Sequence, residues 1–211
     1  MNTQSTPTRN GLRADLALIA DWIAPGSRVL DLGCGNGTLL AHLQQTKHVR
    51  GYGLEIDPDN VIASVAAGVN VLQVDLDDGL AQFETNSFDY VVMSSAIQEV
   101  AAPNALLDDM LRIGRDSIVT FPNFAHWRLR TKIALRGVMP SSRALPNRWY
   151  DTPNIHLCTV RDFERLCQDK KAHIVRRHFV NHAHRAQAAM RLVPNLLCEI
   201  ALYRLRDGRT G

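Results

Sequence analysis

Apolar positions follow two spacings along this chain. Short apolar runs, too brief for helices, fall at residues 29–32, 51–56, 71–74, 88–93, 117–121, 173–179 and 197–205. Between the earlier runs lie stretches whose apolar residues recur three and four apart, the helical spacing. Leu12, Leu16, Ile19, Ala20 and Ile23 share one helical face that Pro25-Gly26 stops, predicting a helix over 12–23. Further helices are expected over 38–45, over 58–67 and over 104–113. In the second of these Asp57 is the N-cap, Pro58 the first position and Gly68 the stop. Thr159-Val-Arg-Asp162 resembles a capping box opening a helix through Phe163, Leu166 and Cys167. Strands alternating with helices predict an α/β sheet, parallel through most of its width, with the last two strands pairing antiparallel at one end.

The most informative stretch is Arg28–Gly37, RVLDLGCGNG. Val29, Leu30 and Leu32 suit a buried parallel strand, which runs into Gly33, Gly35 and Gly37 and then a helical spacing. Strand, glycine turn and helix together let backbone approach a ligand closely and aim helix N–H groups at it. Glu55 ends the second strand twenty residues after Gly35, where a carboxylate can accept from both hydroxyls of a ribose. Asp75 ends the third strand and Ser94 the fourth, and ligands of open α/β sheets gather at those carboxyl ends. Asp77 and Asp78, further along, read as solvated loop charges. The run is G-x-G-x-G with Asp31 two residues ahead of it, unlike the dinucleotide G-x-G-x-x-G. NAD is therefore the second ligand reading, and a bare tight turn the ligand-free one.

Composition narrows the class. With 211 residues, net charge +3 and 45% hydrophobic residues, the chain suits one globular domain over 11–207 behind a polar, disordered tail over 1–10. No apolar run approaches the roughly 20 residues of a membrane span, and no signal-peptide core opens the chain. Cys34, Cys158, Cys167 and Cys198 have no C-x-x-C spacing, so neither zinc nor a disulfide framework is indicated, and a reducing, cytoplasmic setting fits. Cys34 at a helix N-terminus could be a lowered-pKa thiol, but a small side chain in a tight turn explains it as well. His178, His182 and His184 lie close in sequence without an acid or cysteine to complete a metal set. The basic excess is too small to imply nucleic acid by itself.

Residues 123–157 are least explained by the sheet. Arg128, Arg130, Lys132, Arg136, Arg143 and Arg148 are interleaved there with Phe124, Trp127, Trp149 and Tyr150. Such a segment can serve as a lid over a ligand, a partner surface or a substrate pocket, and basic residues among aromatics can also bind RNA. His126, Tyr150, Asp151 and His156 could supply a base, although a structural or solvated role is preferred for each.

The order DLGCGNG, GLEID, VLQVDLDDGL and FDYVVMSS resembles that of class I S-adenosylmethionine-dependent methyltransferases. Adding FPNFAHW and ALPNRWYDTPNIHL, the chain is similar over residues 12–206 to the methionine biosynthesis protein MetW family. The resemblance implies a Rossmann-like class I methyltransferase fold: a seven-stranded, mostly parallel sheet with helices on both faces and an insert after the fifth strand. It implies S-adenosylmethionine or S-adenosylhomocysteine as cofactor, held by Asp31, Gly33, Cys34, Gly35, Asn36, Gly37, Glu55, Ile56, Asp75, Leu76 and Ser94. Asp31 and the glycine turn would face the methionine part, and Asp75 with Leu76 the adenine. It also implies a protein partner, the homoserine O-acyltransferase of methionine synthesis, which a protein of this family supports or activates. A small-molecule methyltransferase is the alternative, and no catalytic residue is assigned. Met93-Ser-Ser-Ala stands where enzymes that methylate base amino groups carry Asn/Asp-Pro-Pro-aromatic, and no Pro-Cys nucleophile follows. One departure falls beside it: Ser94-Ser-Ala-Ile-Gln98 replaces an expected S-Q-T-L-Q, altering one edge of the pocket.

Overall fold

The strand spacings resolve into one sheet in a computed structural model that describes residues 8–9, 12–142, 145–153, 155–181 and 188–209. Its strands are β1 (Arg28–Leu32), β2 (Arg50–Glu55), β3 (Asn70–Gln73), β4 (Phe88–Ser94), β5 (Gly114–Pro122), β6 (Ala172–Val180) and β7 (Ile200–Asp207). They lie in the order β3-β2-β1-β4-β5-β7-β6, with the first five parallel and β7 antiparallel to both its neighbours. The helices are α1 (Ala14–Trp22), α2 (Thr38–Lys47), α3 (Pro58–Ala66), α4 (Pro103–Ile113), α5 (Trp127–Arg136), α6 (Val160–Asp169), α7 (Ala188–Leu192) and α8 (Pro194–Leu197). No helix among the described residues is long and apolar enough to cross a membrane.

Alternation along the central strands feeds two cores. Leu30, Leu32, Val91, Met93 and Phe121 point to the face covered by α4 and α6, while Val29, Val92 and Ile118 point to the face covered by α1 and α2. Strands buried on both faces explain why the sequence shows continuous apolar runs there, without polar alternation. On the second face Lys47, at the end of α2, donates to Ala20 O at 2.5 Å and Ile23 O at 2.7 Å, satisfying carbonyls at the end of α1. Trp22 is buried in this core, with the Arg176 guanidinium 5.0 Å over its ring.

Several boundaries differ from expectation, each for a local reason. The first helix begins at Ala14, because Leu12–Arg13 pairs with Thr8–Arg9 as a short antiparallel ribbon. Residues 1–7, 10 and 11, which carry most of the expected tail, lie outside the described residues. The last strand begins at Ile200, since Pro194 starts a helical turn that takes in Leu197. The caps fall as anticipated: Asp57 accepts from Asp59 N and Asn60 N, and Thr159 from Asp162 N. Helix α5 was not anticipated. Of its residues only Leu129 is buried, so it carries no apolar stripe to read.

Candidate functional site

The strand order reverses between β1 and β4, and at such a point the loops leaving neighbouring carboxyl ends diverge. A cleft of about 610 Å³ opens there. Ten of the eleven residues singled out for the cofactor line it: Asp31, Gly33, Cys34, Gly35, Asn36, Glu55, Ile56, Asp75, Leu76 and Ser94. Gly37 does not. It begins α2, and a Cβ at that position would stand 2.9 Å from Ser64 Oγ and 3.1 Å from Val69.

The turn itself requires glycine. Gly33, Gly35 and Gly37 have φ of +67°, +56° and +73°, the left-handed region that other residues rarely occupy. The turn folds back on β2, with Gly33 N and Cys34 N both donating to Leu54 O at 2.9 and 3.0 Å. From α3 the buried Ser64 hydroxyl donates to Gly35 O at 2.8 Å. Cys34 is wedged beneath the turn, where a Cβ on Gly53 would come within 2.4 Å of its sulfur, so its small side chain fills a fixed space. Burial, then the Asp31 charge, pushes its thiol up to about 12. Cys34 is packing, not a nucleophile.

Carboxylates dominate the walls. Among the described residues Asp31, Glu55, Asp75, Asp77 and Glu99 all line the cleft, against one cation, Arg13. That arginine is engaged outside it, pairing twice with Asp15 at 2.8 Å. Glu55 is buried and already organised: its Oε2 accepts from Gly35 N at 2.7 Å, and its Oε1 from Ile56 N at 2.9 Å and Asp57 N at 3.0 Å. A carboxylate has about four acceptor sites, so capacity remains, chiefly on Oε2. Asp75 accepts from Asp77 N at 2.9 Å. Asp77, expected to be only a solvated charge, accepts from Ala101 N at 2.8 Å and so ties the loop after β3 to the loop after β4.

Asp31 is the least satisfied of the five. It is 3% exposed, and its Oδ1 has no hydrogen-bond partner. Burial, then the nearby Glu55 charge, raises its carboxyl from the usual 3.8 to about 7. A buried orphan acceptor beside open glycine backbone is what an ammonium-bearing ligand would complete, so these residues fit the cofactor's amino-acid end. The shift also makes a stability statement. The folded value lies above the unfolded one, so the native chain holds this proton more tightly, and the resulting stability is lost as pH rises toward 7. Ligand-free Asp31→Asn, which cannot ionise, is therefore expected to exceed wild type in stability at pH 8. The advantage should narrow by pH 5. Thermal melts of both proteins at the two pH values check this, and a gap independent of pH would count against it.

Ser95 and Ala96, placed by the sequence at one edge of the pocket, line the cleft. Sequence reasoning missed the rest of the rim: Asn60, in the first turn of α3, and Glu99 and Val100, after β4. Ser95 has φ of +62° and is held there by Thr120, whose carbonyl and hydroxyl accept from its N–H at 3.0 and 3.1 Å. Ala96 packs against the glycine turn, since a Cβ on Gly33 would meet its own at 3.3 Å. A longer side chain at position 96 would crowd that turn. Burial, then the Glu55 charge, raises the Glu99 carboxyl. Glu99 was readable only as one more acid in a polar stretch.

None of the four candidate bases reaches the cleft. His126 is buried, with Nε2 3.9 Å from Glu199. Tyr150 and Asp151 bond to Arg148, whose guanidinium donates to the Tyr150 hydroxyl at 2.6 Å and whose backbone N–H donates to Asp151 at 2.5 Å. His156 N donates to Gln98 O at 3.0 Å and its Nε2 lies 3.2 Å from Ala101 O, clamping the insert to the loop after β4. Among the described insert residues only Pro153 borders the cleft. His178 sits in β6, its pKa lowered by burial, then by Arg176 and Arg191, while His182 and His184 lie outside the described residues, as does Arg143.

Comparison with known proteins places this geometry. The family model for methionine biosynthesis protein MetW matches residues 13–205. A bifunctional methionine biosynthesis protein MetXA/MetW from Rhodopirellula baltica is 36% identical over 171 residues, 77% of this chain. The match spans only 27% of that longer relative. Among solved structures, a SAM-dependent methyltransferase from Archaeoglobus fulgidus superposes with TM-score 0.66 at 14% identity, covering 92% of each chain. One from Mesorhizobium loti gives 0.63 at 16% identity, covering 92% of this chain and 97% of that one. The [4+2]-cyclase SpnF gives 0.69 at 15% identity over 97% and 85%. These likenesses establish the class I methyltransferase fold. The cyclase among them shows that the fold alone does not assign methyl transfer.

Proposed function

The chain belongs to the methionine biosynthesis protein MetW family, and from that premise we propose that it binds S-adenosylmethionine and acts as an accessory or activating protein of homoserine O-acyltransferase. The observation that carries the ligand reading is the cleft: among the described residues, five carboxylates and a single, already paired arginine beside a turn of three left-handed glycines. That balance favours a cationic ligand. Asp31 would receive the amino group, the glycine turn the rest of the amino-acid end, Glu55 the ribose hydroxyls and Asp75 with Leu76 the adenine. When bound, S-adenosylmethionine supplies an electrophilic methyl on sulfur. S-adenosylhomocysteine, which lacks that positive charge, should bind more weakly here. The acyltransferase half of the proposal is supported by the relative whose name joins MetXA and MetW in one chain.

Two measurements test it. Calorimetric titration with the two ligands should give saturable binding, with S-adenosylmethionine the tighter. The acyltransferase should change rate, and gain mass in light scattering, when this chain is added. An acyltransferase unchanged in rate and mass, with and without cofactor, would sink the accessory reading.

A second reading rests on a cavity of about 230 Å³ that shares Ser95, Glu99 and Pro153 with the cleft and continues to Pro146, Asn147 and Ile200. It has room for a small acceptor next to the cofactor site, and favours a small-molecule methyltransferase. Formation of S-adenosylhomocysteine with a panel of small acceptors separates this reading from the first.

A further inference from the structure

Helix α5 and the loop after it enclose another cavity, of about 680 Å³, that shares no lining residue with the cofactor cleft. Arg128, Lys132 and Arg136 border it at four-residue intervals, a row of cations about 6 Å apart along one helix face. Among the described residues none of the three has a carboxylate within ion-pairing distance: Arg128 stacks over Trp127 at 5.4 Å, and Lys132 donates to Ser141 O at 3.0 Å. Glu199, against His126, is the one acid among the described residues that line the cavity. Beside this row the surface is apolar. Leu135 is 84% exposed, and Ile133, Val138 and Met139 are about half exposed.

Charge singles out the same segment. Residues 123–157 hold six cations and one acid. The whole chain holds 24 and 21, so the remainder, with 18 and 20, is slightly anionic. The positive balance of the protein therefore lies in the insert. A free small anion would satisfy the cations and leave Leu135, Val138 and Met139 in water. RNA would use cations and aromatics but gain nothing from the aliphatics. A protein surface that sets carboxylates beside an apolar patch satisfies all three sets, and aromatic and arginine residues are the usual anchors of such contacts.

We propose that α5, with Val138 and Met139, is the docking face for the acyltransferase, and that the cavity receives a carboxylate-bearing, apolar segment of that enzyme. This rests on the accessory reading given above. The test uses the full chain and its cognate homoserine O-acyltransferase on a biosensor at low and high salt. Wild type should bind, more weakly as salt rises. The triple variant Arg128→Glu/Lys132→Glu/Arg136→Glu should lose about a hundredfold or more in affinity, and Leu135→Asp about tenfold. Melting temperatures near wild type, together with Leu135→Asp at a site already in solvent, separate lost docking from lost folding. Both variants binding the enzyme as wild type does would overturn this face while leaving the accessory role intact. Wild type failing to bind the enzyme would remove the accessory role, and this proposal with it. Wild type binding a single-stranded RNA oligonucleotide and not the enzyme, with the triple variant losing that RNA binding, would make the insert a nucleic-acid surface instead.

Discussion

Glu55→Ala is expected to weaken S-adenosylmethionine binding about a hundredfold. A charge-assisted hydrogen bond from a ribose hydroxyl to the acceptor site left on Oε2, contributing roughly 1.5–3 kcal/mol, accounts for most of that ratio, and the loosened turn adds the rest. The residue also organises the site before any ligand arrives, since its carboxylate gathers the N–H groups of Gly35, Ile56 and Asp57. Removing it loosens the glycine turn as well as the ribose contact. Glu55→Gln, which keeps one acceptor oxygen and loses the charge, should fall between the two. Calorimetric titration of the three proteins decides the matter. Affinity within threefold of wild type in Glu55→Ala would mean that the acid serves the turn alone.

Phe121→Ala should lower folding stability by about 3–5 kcal/mol, the range for emptying a fully buried aromatic site. The ring is wholly buried, 4.8 Å from Phe163 of α6 and stacked at 6.0 Å on Tyr203 of β7. It therefore joins the parallel half of the sheet to the antiparallel end through a helix. The site has little freedom to collapse, because Tyr203 is itself held by its hydroxyl, which donates to Glu164 at 3.0 Å. Denaturant unfolding gives the number directly, and a loss under about 1 kcal/mol would show that neighbouring rings fill the space. Two residues on, the buried Asn123 side chain donates to Asn195 O and Cys198 O and accepts from Ala125 N. A loosened β5 should thus also loosen the start of the insert.

The parts of this molecule that could be read from sequence are those where one residue type admits one explanation. Three positions in the left-handed region favour glycine strongly, and the apolar residues that bury β1 lead straight into them, so β1 and the turn between β1 and α2 were legible to within a residue or two. Glu55 was legible because a parallel strand delivers its last residue to the ligand side, and Asp75 because the chain leaves β3, which ends at Gln73, on that same side. The insert was not. Its helix exposes apolar and charged residues together, a pattern that local folding does not require and that periodicity cannot distinguish from a loop. The clamp by His156 on Gln98 and Ala101 joins residues more than fifty apart, which no local spacing reports. Nor does a sequence show that Asp31 is left without a partner, since that depends on what β2 and β4 bring beside it.

Strand β6 closes one side of the sheet and, among the described residues, has no strand beyond it. A bare strand margin is an invitation to a second molecule, because its free N–H and C=O groups can template another chain, and here Ile174 and Val175 add exposed β-branched side chains. Two devices work against that outcome. The register with β7 slips between Ile174 and Arg176, bending the margin where pairing would otherwise be straightest. Arg176 and Arg177 are then tethered to opposite faces, one over Trp22 and the other to Glu164 at 2.9 Å, so positive charge stays beside the exposed pair. Bulge and arginines together thus set shape and charge against a second copy pairing along this margin.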